Sequence, residues 1–181
     1  MRIGVSACLL GHSVRYDGGH KRNQQVCSVD GLVDWISVCP EAELGLGVPR
    51  PPMEIRGDRD RRRLVVIESG ADLSASMSAY AADRLETLAD LDGYLFKSKS
   101  PSCALTSAPV MPVGELGPGL FAQAFADRWP QVPICEESAF NRDFMVRVLE
   151  ARRLRLRPAN PAADRNADWD EQEKACLAAF S

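Results

Sequence analysis

No stretch of this sequence is apolar for long enough to cross a bilayer, which takes about 20 residues. Its first residues carry no basic segment running into a hydrophobic stretch and a cleavage site, so no secretory signal is read and the expected location is the cytoplasm. There is no basic excess: 22 Lys and Arg stand against 25 Asp and Glu, a net charge of −3, which argues against a nucleic-acid polymer as partner. The one local exception, Arg59, Arg61, Arg62 and Arg63, follows Gly57-Asp58 and reads as a solvated hairpin tip. A phosphate-cradling glycine loop is lacking, which counts against a metal-free nucleotide-binding domain. So is any Cys-x-x-Cys pair, which removes zinc ribbons and ferredoxin-type cluster runs.

What is there suffices for a sizeable core. The chain has 181 residues, 45% hydrophobic and 26% charged, the composition of a globular protein. The reading is one domain over 1–154 and a C-terminal tail over 155–181, rich in Pro, Ala, Asn and Asp, with a short helix around Trp169 to Phe180. Apolar strand patterns fall at 2–8, Ile36-Ser37-Val38, Tyr94-Leu95-Phe96 and Val132-Pro133-Ile134, with a hairpin pairing Met53–Ile55 and Leu64–Glu68. Helical patterns fall at 29–37, 72–91, 120–128 and 141–154, and Gly114 to Gly119 reads as a loop. Strands alternating with helices predict a three-layer α/β/α, Rossmann-like domain with a mainly parallel sheet.

Six cysteines in a reducing compartment are thiols, metal ligands or catalysts more often than disulfides. Cys8, Cys39, Cys103 and Cys135 each follow a predicted strand, so a parallel sheet would send all four to one edge, the edge where such sheets bind ligands. Thiolates favour zinc or iron–sulfur centres. The competing reading is four inert, small apolar residues. Cys27 and Cys176 do not share the placement.

The local words around these cysteines narrow the choice. Ser-Ala-Cys-Leu-Leu-Gly at 6–11 joins Arg-Tyr-Asp-Gly at 15–18; Cys-Pro-Glu at 39–41 precedes Gly-Leu-Gly-Val-Pro-Arg-Pro-Pro-Met-Glu at 45–54; Lys-Ser-Lys-Ser-Pro-Ser-Cys spans 97–103. Together they closely resemble the thiouracil desulfidase family, also known as domain of unknown function 523, over about residues 1–150, including a later stretch with Glu136-Glu137 and Asn141. The resemblance implies a [4Fe–4S] cluster bound by three cysteines, Cys8, Cys39 and Cys103, with the fourth iron free for the sulfur of a small thiolated base or nucleoside. The implied reaction turns 2-thiouracil and water into uracil and hydrogen sulfide, with no net redox change.

Such a reaction needs a carboxylate to deprotonate water and a donor for the leaving group. The candidates are Asp17, Glu41 and Glu43, with Ser100 and Ser102 as hydroxyl partners; Glu41 or Glu43 is preferred as the base. Each has a structural alternative: Asp17 capping the turn at Gly18-Gly19, Glu41 paired with Arg50, the serines bonding backbone amides. Arg15, Lys97 and Lys99 suit cluster charge or an anionic substrate as well as they suit solvent, and His12 and His20 read as plain loop residues. Two residues depart from the family pattern. Ala104 stands where glycine is usual, which would be strained at positive φ. Cys135 precedes the glutamate pair, and as a fourth ligand it would close the open site, giving a non-enzymatic iron–sulfur or zinc protein, a sensor or sulfur carrier. Oligomeric state is not read.

Overall fold

The computed structural model describes residues 1–58, 61–156 and 170–180. In chain order its elements are β1 (Arg2–Ser6), α1 (Gln24–Cys27), β2 (Asp34–Val38), β3 (Met53–Gly57), β4 (Arg62–Val66), α2 (Ser74–Glu86), β5 (Gly93–Phe96), β6 (Ala108–Met111), β7 (Glu115–Gly117), α3 (Leu120–Arg128), β8 (Ile134–Glu136), α4 (Arg142–Leu156) and α5 (Glu171–Ala178). One sheet runs β2-β1-β5-β8 and is parallel throughout. A second sheet runs β4-β3-β6-β7, antiparallel except where β3 meets β6.

The parallel sheet is apolar on both faces because helices cover both. Ile3, Val5, Leu95 and Cys135 pack in one core with Phe144, Met145, Val148 and Leu149 of α4 and with Cys176 and Leu177 of α5. Tyr94 and Phe96 face the other way, into a core with Met77, Ala81 and Leu85 of α2 and Phe121 and Phe125 of α3. That second face depends on Gly4: a Cβ there would stand 2.2 Å from the Tyr94 ring, so only glycine lets the ring lie across β1. Tyr94 then stacks on Phe96 with ring centroids 4.0 Å apart. The result is a three-layer α/β/α arrangement with a mainly parallel sheet.

Several boundaries differ from the sequence reading. Residues 29–37 are not helical. Gly31 takes φ 81°, which ends helical propagation, and the β-branched and aromatic run from Asp34 pairs along the whole of β1. The helix expected over 72–91 stops at Glu86, where the Thr87 hydroxyl bonds the Arg84 carbonyl. The stretch read as a loop at 114–119 holds β7, paired with a β6 that Pro109 and Pro112 had disguised. β8 begins two residues later than expected, because Pro133 has no N–H for the ladder and gives only its carbonyl to Tyr94 N. Cys135 therefore lies inside a strand. The hairpin of β3 and β4 forms as expected, though Arg59 of its tip lies outside the described residues. So does Trp169 of the tail; α5 beyond it is capped by a reciprocal Asp170–Glu173 pair and sets Phe180 edge-on to Phe140.

Candidate functional site

The chain leaves β1 and moves to one side to form β2; β5 lies on β1's other flank. The carboxyl ends of these three strands thus surround a topological switch point, the place where parallel sheets bind ligands. Cys8 sits in the helical turn Ala7–Leu10 directly after β1, and Cys39 directly follows β2. Cys103 arrives from further off, on the loop after β5. That loop is seated against the start of α3: the amides of Leu120 and Phe121, which no helical partner could satisfy, bond the carbonyls of Pro101 and Ser102 at 3.1 Å.

The three thiols line one cavity of about 570 Å³. All are free; Cys39 acts on Cys8, and both act on Cys103. Burial pushes Cys8 up to about 11 and raises Cys39 as well. Cys103 is raised as well, by burial and then by the charge of Glu41, against the opposing hydrogen bond of Ser6. Burial of this kind favours the neutral thiol, and a bound metal would favour the thiolate. The buried Tyr94 hydroxyl has no hydrogen-bond partner among the described residues.

Glu41 is the sole carboxylate among the residues lining the cavity. Its Oε2 accepts Arg50 Nε at 3.0 Å and Nη2 at 2.7 Å, and its Oε1 accepts the Ser102 hydroxyl at 2.9 Å. Arg50 is itself locked: its side chain is 3% exposed, and Nη1 donates to the carbonyls of Val14 and Gly47. Thus the ion pair anticipated for Glu41 exists, and it aims the carboxylate rather than removing it from the cavity. Ser102 is fully buried and reaches the cavity only through Glu41.

The other candidates separate. Glu43 does not line the cavity; its Oε1 accepts Cys39 N at 2.9 Å, and its Oε2 takes the Tyr80 hydroxyl at 2.7 Å and Arg84 Nε at 3.0 Å. Asp17 lies in an exposed loop, lowered by its bonds from Arg15 and from Gly19 N, and does not line the cavity either. Ser100 lines it, yet its Oγ accepts the amides of Ser102 and Cys103, which shapes the Cys103 turn. Arg15, Lys97 and Lys99 line the wall, with Lys21; His12 and His20 do not. Lys99 takes φ 58°, whereas Ala104 has no positive φ, so the missing glycine causes no strain there. Sequence reasoning passed over Ser6, whose hydroxyl accepts Lys97 N at 3.0 Å; its place two residues before Cys8 was the available signal.

Cys135 does not reach this wall. Paired with Leu95 inside β8, it faces the α4 core, and burial raises its thiol to about 12 with none of the other three cysteines acting on it. A fourth-ligand role for Cys135 finds no support in that placement. Among the described residues, no group of three or more His, Cys, Asp or Glu is gathered for a single metal ion. Three thiols around one cavity instead fit a cluster, whose iron corners each take one thiolate.

Three comparisons bear on the site. The family profile for 2-thiouracil desulfurase matches residues 3–137. The uncharacterized protein YbbK of Bacillus subtilis (strain 168) is 31% identical over 108 residues, 56% of this chain and 72% of its own length. A solved structure of the [4Fe-4S]-dependent thiouracil desulfidase TudS (DUF523Vcz) superposes with a TM-score of 0.61 at 30% identity, covering 77% of this chain and 92% of that one.

Proposed function

Because this chain belongs to the 2-thiouracil desulfurase family, we propose that it is a [4Fe–4S]-dependent desulfidase hydrolysing a thiolated pyrimidine, of the 2-thiouracil kind, to the oxo base and hydrogen sulfide. The observation that carries this reading is the meeting of Cys8, Cys39 and Cys103 at one cavity with Glu41 as its single carboxylate. These three thiols would hold the cluster, and Cys135 would stay in the core. Bound by three thiolates, a cluster supplies a vacant iron, a soft Lewis acid suited to a thiocarbonyl sulfur.

The chain's own residues supply the rest. A carboxylate offers about four lone-pair sites. Arg50 takes Oε2 twice and Ser102 takes Oε1 once, which leaves a site on Oε1 of Glu41 for a water proton. Arg50 and Ser102 also fix the carboxylate rotamer, so the base is held in place before substrate arrives. The overall change exchanges C=S for C=O: water supplies the oxygen and two protons, sulfur leaves as hydrogen sulfide, and no electrons are gained or lost. Lys21, Lys99 and Arg15 place positive charge along the wall, which suits a thiolated base bearing an anionic substituent as well as the free base.

Anaerobic purification and reconstitution test the reading. Wild type is expected to carry about four iron and four sulfide per chain, to absorb visible light, and to release sulfide and uracil in equal amounts from 2-thiouracil. Cys8→Ser, Cys39→Ser and Cys103→Ser should each lose iron, while Cys135→Ser retains it. A colourless, iron-free wild type would remove the proposal. So would an iron-loaded protein that releases no sulfide from any thiolated pyrimidine base, nucleoside or nucleotide.

A further inference from the structure

The Glu136-Glu137 pair has no part in the chemistry just described, yet these two residues leave β8 and grip the Cys103 loop at both ends. Glu137 Oε2 accepts Ser98 N at 2.6 Å, and its Oε1 accepts the Ser98 hydroxyl at 2.7 Å and the ammonium of Lys97. Glu136 works seven residues further on. Its Oε1 accepts Leu105 N at 2.8 Å, Thr106 N at 3.2 Å and the Ser107 hydroxyl at 2.7 Å. Ser107 Oγ in turn accepts Lys99 N at 2.8 Å and so ties the two ends together. Between the two grips lie the cavity-lining Lys99, Ser100, Pro101 and Cys103.

From this double grip we infer that Glu136 and Glu137 are positioning residues that hold the 97–107 loop in the shape presenting Cys103, and that Glu137 also balances the Lys97 charge beside Cys8. The two carboxylates differ in kind. Glu136 meets only neutral donors, all on one oxygen. Glu137 uses both oxygens and neutralises a cation that lines the same cavity as Cys8. A glutamine at 136 keeps an oxygen that accepts all three bonds. At 137 a glutamine keeps an acceptor on one side only, and on the other it turns an NH₂ toward donors and leaves the Lys97 ammonium unbalanced.

The inference rests on the cluster reading, and the test separates the two. It uses the iron-loaded full-length chain, with amide hydrogen exchange and a potentiometric titration of the cluster as readouts. Glu136→Ala should speed exchange at Leu105 and Thr106 by about tenfold or more, and Glu136→Gln should restore wild-type protection. Glu137→Gln should release Ser98 and raise the cluster's reduction potential, because an unbalanced cation favours the reduced, more negative cluster. Ser107→Ala should leave the potential unchanged, and Glu136→Gln should raise it less than Glu137→Gln does. Ser107→Ala removes one donor without stranding a buried acid, so it still reads the grip through Lys99 and Thr106 exchange if Glu136→Ala does not fold. Unchanged exchange in all variants, or a potential equally raised in Glu136→Gln and Glu137→Gln, would overturn the inference while leaving the cluster intact. A wild type without iron would instead defeat the reading beneath it.

Discussion

Glu41 and Glu43 stand two residues apart on the turn after Cys39 and have matching numbers of partners: each carboxylate has one on Oε1 and two on Oε2, all hydrogen-bond donors for Glu41, whereas Arg84 meets Glu43 as an ion pair only. Their surroundings are opposite. Glu41 borders the cavity shared by the three thiols, whereas Glu43 turns away from it toward Tyr80 and Arg84 of α2 and ties back to the amide of Cys39 itself. A count of partners would call the two equivalent. What separates them is where each lies: Glu41, its side chain 12% exposed, borders the cavity, where a carboxylate can take a proton from water, whereas Glu43, 33% exposed, meets solvent outside it and ties together the groups around it. On the proposed reading the front of the turn would serve the chemistry and the back its support.

The strongest way to break this comparison is to neutralise each carboxylate in turn. Glu41→Gln is expected to lower kcat by about a hundredfold or more while iron content stays at the wild-type level. A kcat within threefold of wild type would take the base role from Glu41. Glu43→Gln should do the reverse. Weakening the bonds from Cys39 N and Tyr80 and losing the ion pair with Arg84 at this partly exposed site is expected to cost about 1 kcal/mol in denaturant unfolding, with kcat per bound cluster little changed. Should Glu43→Gln instead abolish turnover at full iron loading and full stability, the front and back assignments would have to be exchanged.

Neither assignment could be read from the sequence, and the reason is physical. Glu41 and Glu43 differ by partners that are remote in the chain: Ser102 is 61 residues from Glu41, and Tyr80 is 37 from Glu43. No local pattern encodes such meetings. The placement of Cys8 and Cys39 was legible because a residue just past a buried strand is placed by the strand itself, and strand periodicity is a local signal. Cys103, read in the same way as following a strand, sits seven residues beyond β5, on a loop that meets the α3 amides, Glu136 and Glu137. Cys135 shows the same limit from the other side: a two-residue error at Pro133 moved a core cysteine to the strand end and made it look like a ligand. The layered fold survived these errors because alternating strands and helices constrain it many times over, while a single boundary is constrained once.

Glu137 sharpens the comparison with the smallest expected effect. It resembles Glu43 in being a supporting carboxylate, but it is opposed by its own burial, which taken alone would raise its carboxyl; bonds from Lys97 and Ser98 outweigh that and hold it below 4.5. The sign of its pH dependence therefore reports which force wins. With the folded value below the unfolded one, the contribution of Glu137 to stability is fully present above pH 4.5. It is lost as pH falls toward the folded value, because the unfolded chain takes up the proton first. The stability gap between wild type and Glu137→Gln, measured on the cluster-free full chain by denaturant unfolding, should be constant from neutral pH down to about 5 and then narrow toward acid. A gap that widened as the pH dropped would mean that burial prevails over Lys97 and Ser98, and the loop before Cys103 would then be held by the α3 amides and Glu136 without a charged anchor at its start.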